Sequence, residues 1–155
     1  MPTRLKSVRS GLCILVCFGI AVCMVSGCAT VHHRHAVPSV SVEKSTYAPG
    51  ENIVVNFSNG PGNRYDWIAI YNDGVKPGSG IFTRCWYYTD DTHDTGKNGV
   101  SDGKLVFDSA SDNPENTERD WPLAGGDYDV YFLCCDDYGI LAGPVEFTID
   151  SGGRD

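Results

Sequence analysis

The chain has 155 residues, a length typical of one domain, and it is acidic. Twelve lysines and arginines stand against twenty aspartates and glutamates, which gives a formal net charge of −8. A chain with this negative charge is not attracted electrostatically to nucleic-acid phosphates or to anionic lipid headgroups. No nucleic-acid partner is therefore expected.

The N-terminus has the layout of a secretory signal. Three basic residues among the first nine precede an uncharged, mostly apolar run over residues 12–25. This run is shorter than the 18 or more residues of a membrane-spanning helix. It ends in Val-Ser-Gly-Cys at 25–28, which resembles the lipobox of bacterial lipoproteins. The resemblance implies removal of residues 1–27 and acylation of Cys28 on its thiol and on its new amino group.

The residue after the cysteine bears on the final location. By resemblance to the common lipoprotein sorting rule, Ala29 favours the outer membrane over the inner one, and two or more acyl chains would anchor the protein firmly. An ordinary cleaved signal and an uncleaved N-terminal anchor are the alternatives. Without residues 1–27 the chain keeps nine basic and twenty acidic residues, a formal charge of −11.

Residues 28–38 are interpreted as a short tether between the lipid and the folded domain. Three of the four histidines lie here, at positions 32, 33 and 35. Clustered imidazoles can capture transition metals. Adjacent histidines on a flexible segment have no fixed geometry, however, and a solvated linker is the favoured interpretation.

From residue 39 onward the sequence predicts strands and turns, with no convincing helix. Short runs with alternating apolar residues or rich in β-branched and aromatic residues are separated by glycine, proline and asparagine. This pattern is typical of a β-sandwich that buries alternate residues between two layers. The seven predicted strands cover residues 39–43, 53–58, 67–71, 82–89, 104–107, 127–135 and 140–149.

Several motifs in these strands resemble a SKICH-type, immunoglobulin-like domain. They are Tyr-Ala-Pro-Gly-Glu-Asn-Ile at 47–53, Asp-Trp-Ile-Ala-Ile-Tyr at 66–71, Trp86 with Tyr88, Gly-Asp-Tyr at 126–128, Tyr-Asp-Val-Tyr-Phe at 128–132, and the stretch 138–147. The resemblance covers about residues 39–150, and Ala69 stands where the family usually has glycine. It implies an all-β, immunoglobulin-like antiparallel β-sandwich of about seven strands. It also implies a localisation or interaction role beside phosphoesterases, without a shared active site.

Tyr128 is placed to form a tyrosine corner. A tyrosine that enters a late strand of a sandwich can turn its hydroxyl group back to an upstream backbone group. Packing of the ring in the core, without that hydrogen bond, is the alternative.

Three cysteines follow the lipidation site: Cys85, Cys134 and Cys135. In an oxidising compartment they suggest one disulfide and one spare thiol. Neighbouring strand residues point to opposite faces, so only one of Cys134 and Cys135 could reach Cys85. We favour Cys134, which shares its parity with the apolar residues of the predicted strand, and leave Cys135 as the alternative.

One loop is rich in oxygen ligands. It contains Asp90, Asp91, Asp94, Asn98 and Asp102. Calcium takes such carboxylate and amide oxygens, although the EF-hand spacing is not met. A solvated acidic loop is the favoured interpretation, and calcium is the alternative.

Aromatic side chains offer a second binding hypothesis. Exposed rings stack on sugars or anchor protein interfaces, and the candidates are Trp67, Trp86, Tyr87 and Trp121. Core packing is the alternative for most of them. Because neighbours on a strand face opposite ways, one of Trp86 and Tyr87 should leave the core unless a loop covers it.

No catalytic residues are predicted. His93 is the one histidine after the tether, and it lies in a polar loop without an apolar wall to exclude water. The sequence has no Gly-x-Ser-x-Gly element and no glycine-rich phosphate loop. We therefore predict a lipid-anchored binding module of the bacterial envelope with no cofactor beyond the calcium alternative. Its ligand would be a protein or a carbohydrate, and an accessory domain for a separate phosphoesterase chain is a further alternative.

Overall fold

The computed structural model describes residues 36–94, 98–112 and 120–152, which contain eight β-strands and no helix. The prediction of an all-β domain is confirmed. The strands are β1 Ser39–Val42, β2 Thr46–Tyr47, β3 Ile53–Ser58, β4 Trp67–Asn72, β5 Cys85–Tyr88, β6 Gly103–Phe107, β7 Gly126–Cys134 and β8 Gly139–Ile149.

The strands form two sheets. One has the order β1-β3-β6, and the other has the order β2-β8-β7-β4-β5. All pairs are antiparallel except β2, which runs parallel to β8. This short strand lies between the predicted strands 39–43 and 53–58, where no strand was predicted. The described chain therefore has one strand more than expected and is not wholly antiparallel.

The three-stranded sheet follows the alternation seen in the sequence. Ile53, Val55 and Phe57 of β3 are buried, whereas the residues between them are half-buried or exposed. Leu105 and Phe107 of β6 continue the same apolar face. This sheet therefore has one core face and one outward face, as its period of two requires.

The core lies between the two sheets. Ile68 and Val130 of the five-stranded sheet belong to the same buried cluster as β3 and β6. The rings of Phe57 and Phe132 meet edge to face across the layers, with centroids 5.5 Å apart. One hydrophobic core thus holds both sheets.

The central strands of the larger sheet are buried on both faces. In β7, every residue from Tyr128 to Leu133 is buried, and in β4 so are Ile68–Tyr71. A second apolar cluster, formed by Ala69, Tyr71, Tyr131 and Leu133, lies on the outer face. The alternation rule fails here because the connection between β4 and β5 brings further side chains over that face.

A glycine accommodates an irregularity between β7 and β8. The register shifts between Val130 and Phe132 and again before Leu133. Gly143 of β8 has φ +103°, and a Cβ atom there would come within 2.5 Å of the Val130 carbonyl oxygen. A larger residue would push the two strands apart at this point.

The tyrosine corner predicted at Tyr128 is present. Its hydroxyl group donates a hydrogen bond of 2.8 Å to the carbonyl oxygen of Ala124. The ring stacks on Phe147 with a centroid separation of 5.6 Å. The corner therefore ties the segment before β7 to the β7–β8 pair.

Replacing Tyr128 with Phe should lower the free energy of unfolding by about 1 kcal/mol, because one part-buried hydrogen bond is lost. Tyr71→Phe is the matched control: the Tyr71 hydroxyl is buried and has no partner among the described residues. Its removal should leave the stability unchanged or raise it. Urea denaturation of both variants measures the difference, and a Tyr128→Phe protein as stable as the wild type would contradict the structural role of the corner.

Candidate functional site

A cleft of about 240 Å³ opens on the outer face of the five-stranded sheet. We call it the aromatic cleft. Its lining residues are Trp67, Tyr71, Gly80, Ile81, Phe82, Thr83, Trp86, Asp136 and Tyr138. They come from β4, from β5 and the connection that precedes it, and from the turn between β7 and β8.

Strand parity brings the two tryptophans together. Trp86 pairs with Ala69, two residues from Trp67, so both indole rings leave the sheet on its outer side. Their centroids lie 6.0 Å apart with the ring planes at 82°. Tyr138 meets Trp67 in the same edge-to-face manner at 6.2 Å. These rings form walls that stand at angles to one another.

The rim of the aromatic cleft is exposed and apolar. Phe82 is 65% exposed, Ile81 44% and Tyr138 39%. A ring as exposed as that of Phe82 gains little from the fold, since most of its surface still meets water. The rim is therefore available for contact with another molecule.

Tyr71 and Asp136 are two of the polar residues that line the aromatic cleft. The hydroxyl of Tyr71 is buried without a hydrogen-bond partner among the described residues, and burial raises the pKa of Tyr71, so the group stays neutral. Asp136 accepts a 2.9 Å hydrogen bond from the hydroxyl of Tyr88 through one oxygen. Burial, followed by this hydrogen bond, raises the pKa of Tyr88 as well. The lining thus includes a residue with a buried, neutral hydroxyl and a residue with a carboxylate.

The turn that carries Asp136 is held by a buried carboxylate. Asp66 is fully buried, and it accepts hydrogen bonds from the backbone amides of Asn63 at 2.8 Å and Cys135 at 3.3 Å. The amide of Asp136 donates to the carbonyl oxygen of Tyr65 at 2.9 Å. Burial raises the pKa of Asp66, and the backbone amides act in the opposite direction. These contacts fix the Asp136 side of the cleft.

The four aromatic residues predicted from the sequence separate into two groups. Trp67 and Trp86 line the aromatic cleft. Tyr87 is a core residue that packs on Phe107 at 5.6 Å, and Trp121 is half-buried against the core elsewhere. The prediction that one of Trp86 and Tyr87 leaves the core is confirmed, and it is Trp86.

Sequence reasoning missed Tyr71, Phe82, Asp136 and Tyr138. Tyr71 shares its parity with Trp67 on β4, a signal that was available in the sequence. The other three lie in connections between strands. Phe82 shares its parity with Trp86 in the predicted strand 82–89, which was a signal, although the observed strand begins only at Cys85. For Asp136 and Tyr138, no periodicity shows which way the side chain points.

The acidic loop predicted for calcium does not form a convergent cluster in the described part of the chain. Among Asp90, Asp91, Asp94 and Asp102, no three bring their oxygens together. Asp102 accepts hydrogen bonds from the Asn59 amide and from Ser101 instead. Residues 95–97 of this loop lie outside the described residues, and calcium at this loop stays a prediction.

The predicted disulfide is corrected by the fold, in which Cys85, Cys134 and Cys135 are free thiols. Cys85 of β5 pairs with Ile70 of β4, and Ile70 pairs in turn with Val130 of β7. Cys85 therefore lies level with Val130, at a distance of two strand spacings. Cys134 is four residues further along β7. These offsets amount to about 10 Å across the sheet and about 13 Å along it. A disulfide requires the two Cα atoms within about 7 Å.

The comparisons with known proteins leave the family open. No model of a known protein family matches the chain. No curated protein matches it significantly either. In the part of the chain that the structure describes, no helix is long and apolar enough to cross a membrane. The resemblances to SKICH-type domains and to lipoproteins therefore stay predictions.

The three thiols should differ in reactivity. Cys135 is exposed and should be alkylated first. A hydrogen bond with Cys135, together with burial, raises the pKa of Cys134 to about 11, and burial raises the pKa of Cys85 to about 12. The thiolate is the reactive form, so Cys85 should react only after unfolding.

Pulsed iodoacetamide labelling at pH 8 of the reduced chain, with peptide mapping, measures these rates. Cys135→Ser should remove the fast reaction and leave Cys85 protected. Labelling of Cys85 in the folded chain at the rate of Cys135 would contradict the burial of β5.

Proposed function

We propose that this protein is a lipid-anchored, extracytoplasmic binding module with an immunoglobulin-like β-sandwich fold and no catalytic activity. The observation that supports binding most strongly is the aromatic cleft. It is lined by Tyr71, whose buried hydroxyl has no hydrogen-bond partner among the described residues. A buried hydroxyl without a partner costs free energy in the folded state. A ligand that completes this hydrogen bond would offset that cost.

The strand order supports the immunoglobulin-like assignment. When the eight strands are lettered A, A′, B, C, C′, E, F and G in chain order, A, B and E form one sheet. The other sheet then has the order A′, G, F, C and C′. Immunoglobulin domains divide their strands in a similar way, and their tyrosine corner lies near the start of strand F, where Tyr128 is found.

The size of the aromatic cleft favours a ligand group no larger than one ring. Its volume of about 240 Å³ lies below the roughly 300–1,000 Å³ of pockets for drug-sized molecules. Trp67 and Trp86 offer apolar surfaces, while Tyr71 and Asp136 offer hydrogen-bonding groups. A sugar residue combines apolar C–H faces with hydroxyl groups, so we infer that the cleft binds the terminal residue of a carbohydrate.

The angles between the rings support terminal binding in particular. The planes of Trp67 and Trp86 meet at 82°, and those of Trp67 and Tyr138 at 71°. Rings at such angles do not make a flat strip along which a polysaccharide could lie. They enclose a single group that enters from its end.

A protein ligand is the second candidate, and the exposed rim favours it. Ile81, Phe82 and Tyr138 give an apolar edge of the kind that anchors a partner side chain. In that case an aromatic or aliphatic residue of the partner would fill the aromatic cleft.

Variants of the aromatic cleft should weaken binding without unfolding the domain. An array of bacterial and host glycans would identify a ligand, and tryptophan fluorescence would follow its titration into the full-length chain in detergent. Tyr71→Phe should weaken binding by about twofold to tenfold, the value of one hydrogen bond. Phe82→Ala should also weaken it, because an exposed part of the wall is removed.

Val37→Ala is the matched control, since Val37 is 77% exposed and lies before β1. It should leave the affinity unchanged. Equal affinities of the wild type, Tyr71→Phe and Phe82→Ala would place binding outside the aromatic cleft. A chain that binds no glycan but captures a protein through Phe82 would favour the second candidate.

The lipid anchor rests on the sequence, because Cys28 lies outside the described residues. The basic N-terminus, the apolar run and Val-Ser-Gly-Cys at 25–28 support it. The net charge of the remaining chain gives no electrostatic attraction to anionic lipids. Covalent acyl chains would therefore supply the attachment to the membrane.

Replacing Cys28 with Ala should abolish incorporation of a palmitate analogue and change the membrane fractionation of the protein in a bacterial host. Cys23→Ala, a substitution within the apolar run, is the matched control. It should leave the palmitate incorporation and the membrane fractionation unchanged. Mass spectrometry that finds unmodified Cys28 in the wild-type protein would refute the anchor.

A further inference from the structure

Three carboxylates converge on the outer face of the five-stranded sheet, beyond the Tyr71 end of β4. Asp129 lies on β7, Glu146 stands directly opposite on β8, and Asp73 follows the end of β4. One carboxylate oxygen of each lies within 4.8 Å of those of the other two. Two oxygens bound to one calcium ion at about 2.3–2.6 Å are at most about 5 Å apart. The three oxygens can therefore share one ion.

The backbone holds these carboxylates in place. The amide of Asp73 donates to the carbonyl oxygen of Asp127 at 3.0 Å, and the amide of Gly74 donates to Asp129 Oδ2 at 3.0 Å. Asp127 itself is engaged, since its Oδ1 accepts a 2.7 Å hydrogen bond from the hydroxyl of Thr148. The turn after β4 is thus fixed against β7 by contacts that do not depend on an ion.

Asp129 is the observation that points to a ligand. It is 3% exposed, and its Oδ1 is buried with no hydrogen-bond partner in the described part of the chain. Burial raises the pKa of Asp129, and the nearby charge of Asp73 adds to that effect, whereas the Gly74 amide lowers it. A buried charge without a partner is costly, and no cation pairs with this carboxylate among the described residues.

The neighbouring negative charges increase the free-energy cost of burying Asp129. Asp129 and Glu146 are direct cross-strand neighbours, and like charges in that position destabilise a sheet. The ion pairs found among the described residues join Lys44 to Glu51 and Arg84 to Asp120, and neither involves the three carboxylates. A bound cation would reduce the repulsion between the carboxylates and would supply the partner that Asp129 lacks among the described residues.

We propose that Asp73, Asp129 and Glu146 bind one calcium ion. The donors are all oxygen atoms, which suit hard cations rather than zinc or copper. A cavity of about 320 Å³, lined by Asp73 and Glu146 together with Ser45 and Asp127, adjoins them and leaves room for water ligands. Calcium accepts six to eight oxygens in irregular geometry, whereas magnesium requires a near-ideal octahedron.

Calorimetric titration of calcium chloride into the full-length, chelator-treated chain in detergent tests the site. The wild type should bind one ion with a dissociation constant of about 10⁻⁴–10⁻³ M, the range of extracellular calcium modules. Asp129→Asn and Glu146→Gln should each weaken binding at least about tenfold. In chelator, Asp129→Asn should melt no lower than the wild type, because it removes a buried charge that has no partner.

The double variant Asp91→Asn/Asp94→Asn is the control, because it changes the acidic loop predicted from the sequence and leaves the sheet intact. It should bind calcium as the wild type does. Binding lost in this variant and kept in Glu146→Gln would overturn the proposal, as would a wild type that binds no calcium or binds magnesium more tightly. Glu146 is exposed, so Glu146→Gln decides the question even if Asp129→Asn does not fold.

Discussion

The antiparallel pairing of β4 with β7 sets both faces of the larger sheet. Trp67–Asn72 pair residue by residue with Tyr128–Leu133. Ile68 and Ile70 enter the core between the sheets, whereas Ala69 and Tyr71 lie on the outer side. Because side chains alternate with a period of two, a shift of one residue would exchange the two sets. The core would then receive Ala69 and Tyr71 in place of Ile68 and Ile70, and the aromatic cleft would lose Trp67 and Tyr71.

The outer face departs from what an antiparallel sheet with one solvated side would show. Trp86, Phe82 and Tyr138 bring apolar surface over it from three different parts of the chain. Two polar groups of the outer face, the Tyr71 hydroxyl and Asp129 Oδ1, are buried without partners in the described structure. Native proteins keep such groups rare, and the exceptions call for a specific explanation. Here each of the two lies at one of the proposed binding sites.

The two sites are close but chemically separate. Tyr71 and Asp129 are cross-strand neighbours, so the ends of the aromatic cleft and of the carboxylate cluster meet at one residue pair. The first site is built from rings and one hydroxyl, and the second from oxygen ligands held by the turn after β4.

The sequence determined the features that depend on local pattern. Alternation and turn residues predicted the all-β class, six of the eight strands nearly at their observed places, and the corner at Tyr128. The alternation of side chains along a strand also predicted that Trp86 and Tyr87 lie on opposite faces of the sheet. These inferences hold because the strand period and the turn preferences act over a few residues, within reach of a single stretch of sequence.

Tertiary structure decided what depends on which strands are neighbours. It placed Cys85 far from Cys134 and paired β2 with β8. It also brought together Asp73, Asp129 and Glu146, which come from a turn and two different strands. It also carried Phe82 and Asp136 from loops to the aromatic cleft. Parity states only the face on which a side chain lies. The distance between two residues on one face follows from sheet order and register, which are long-range properties that no local pattern contains.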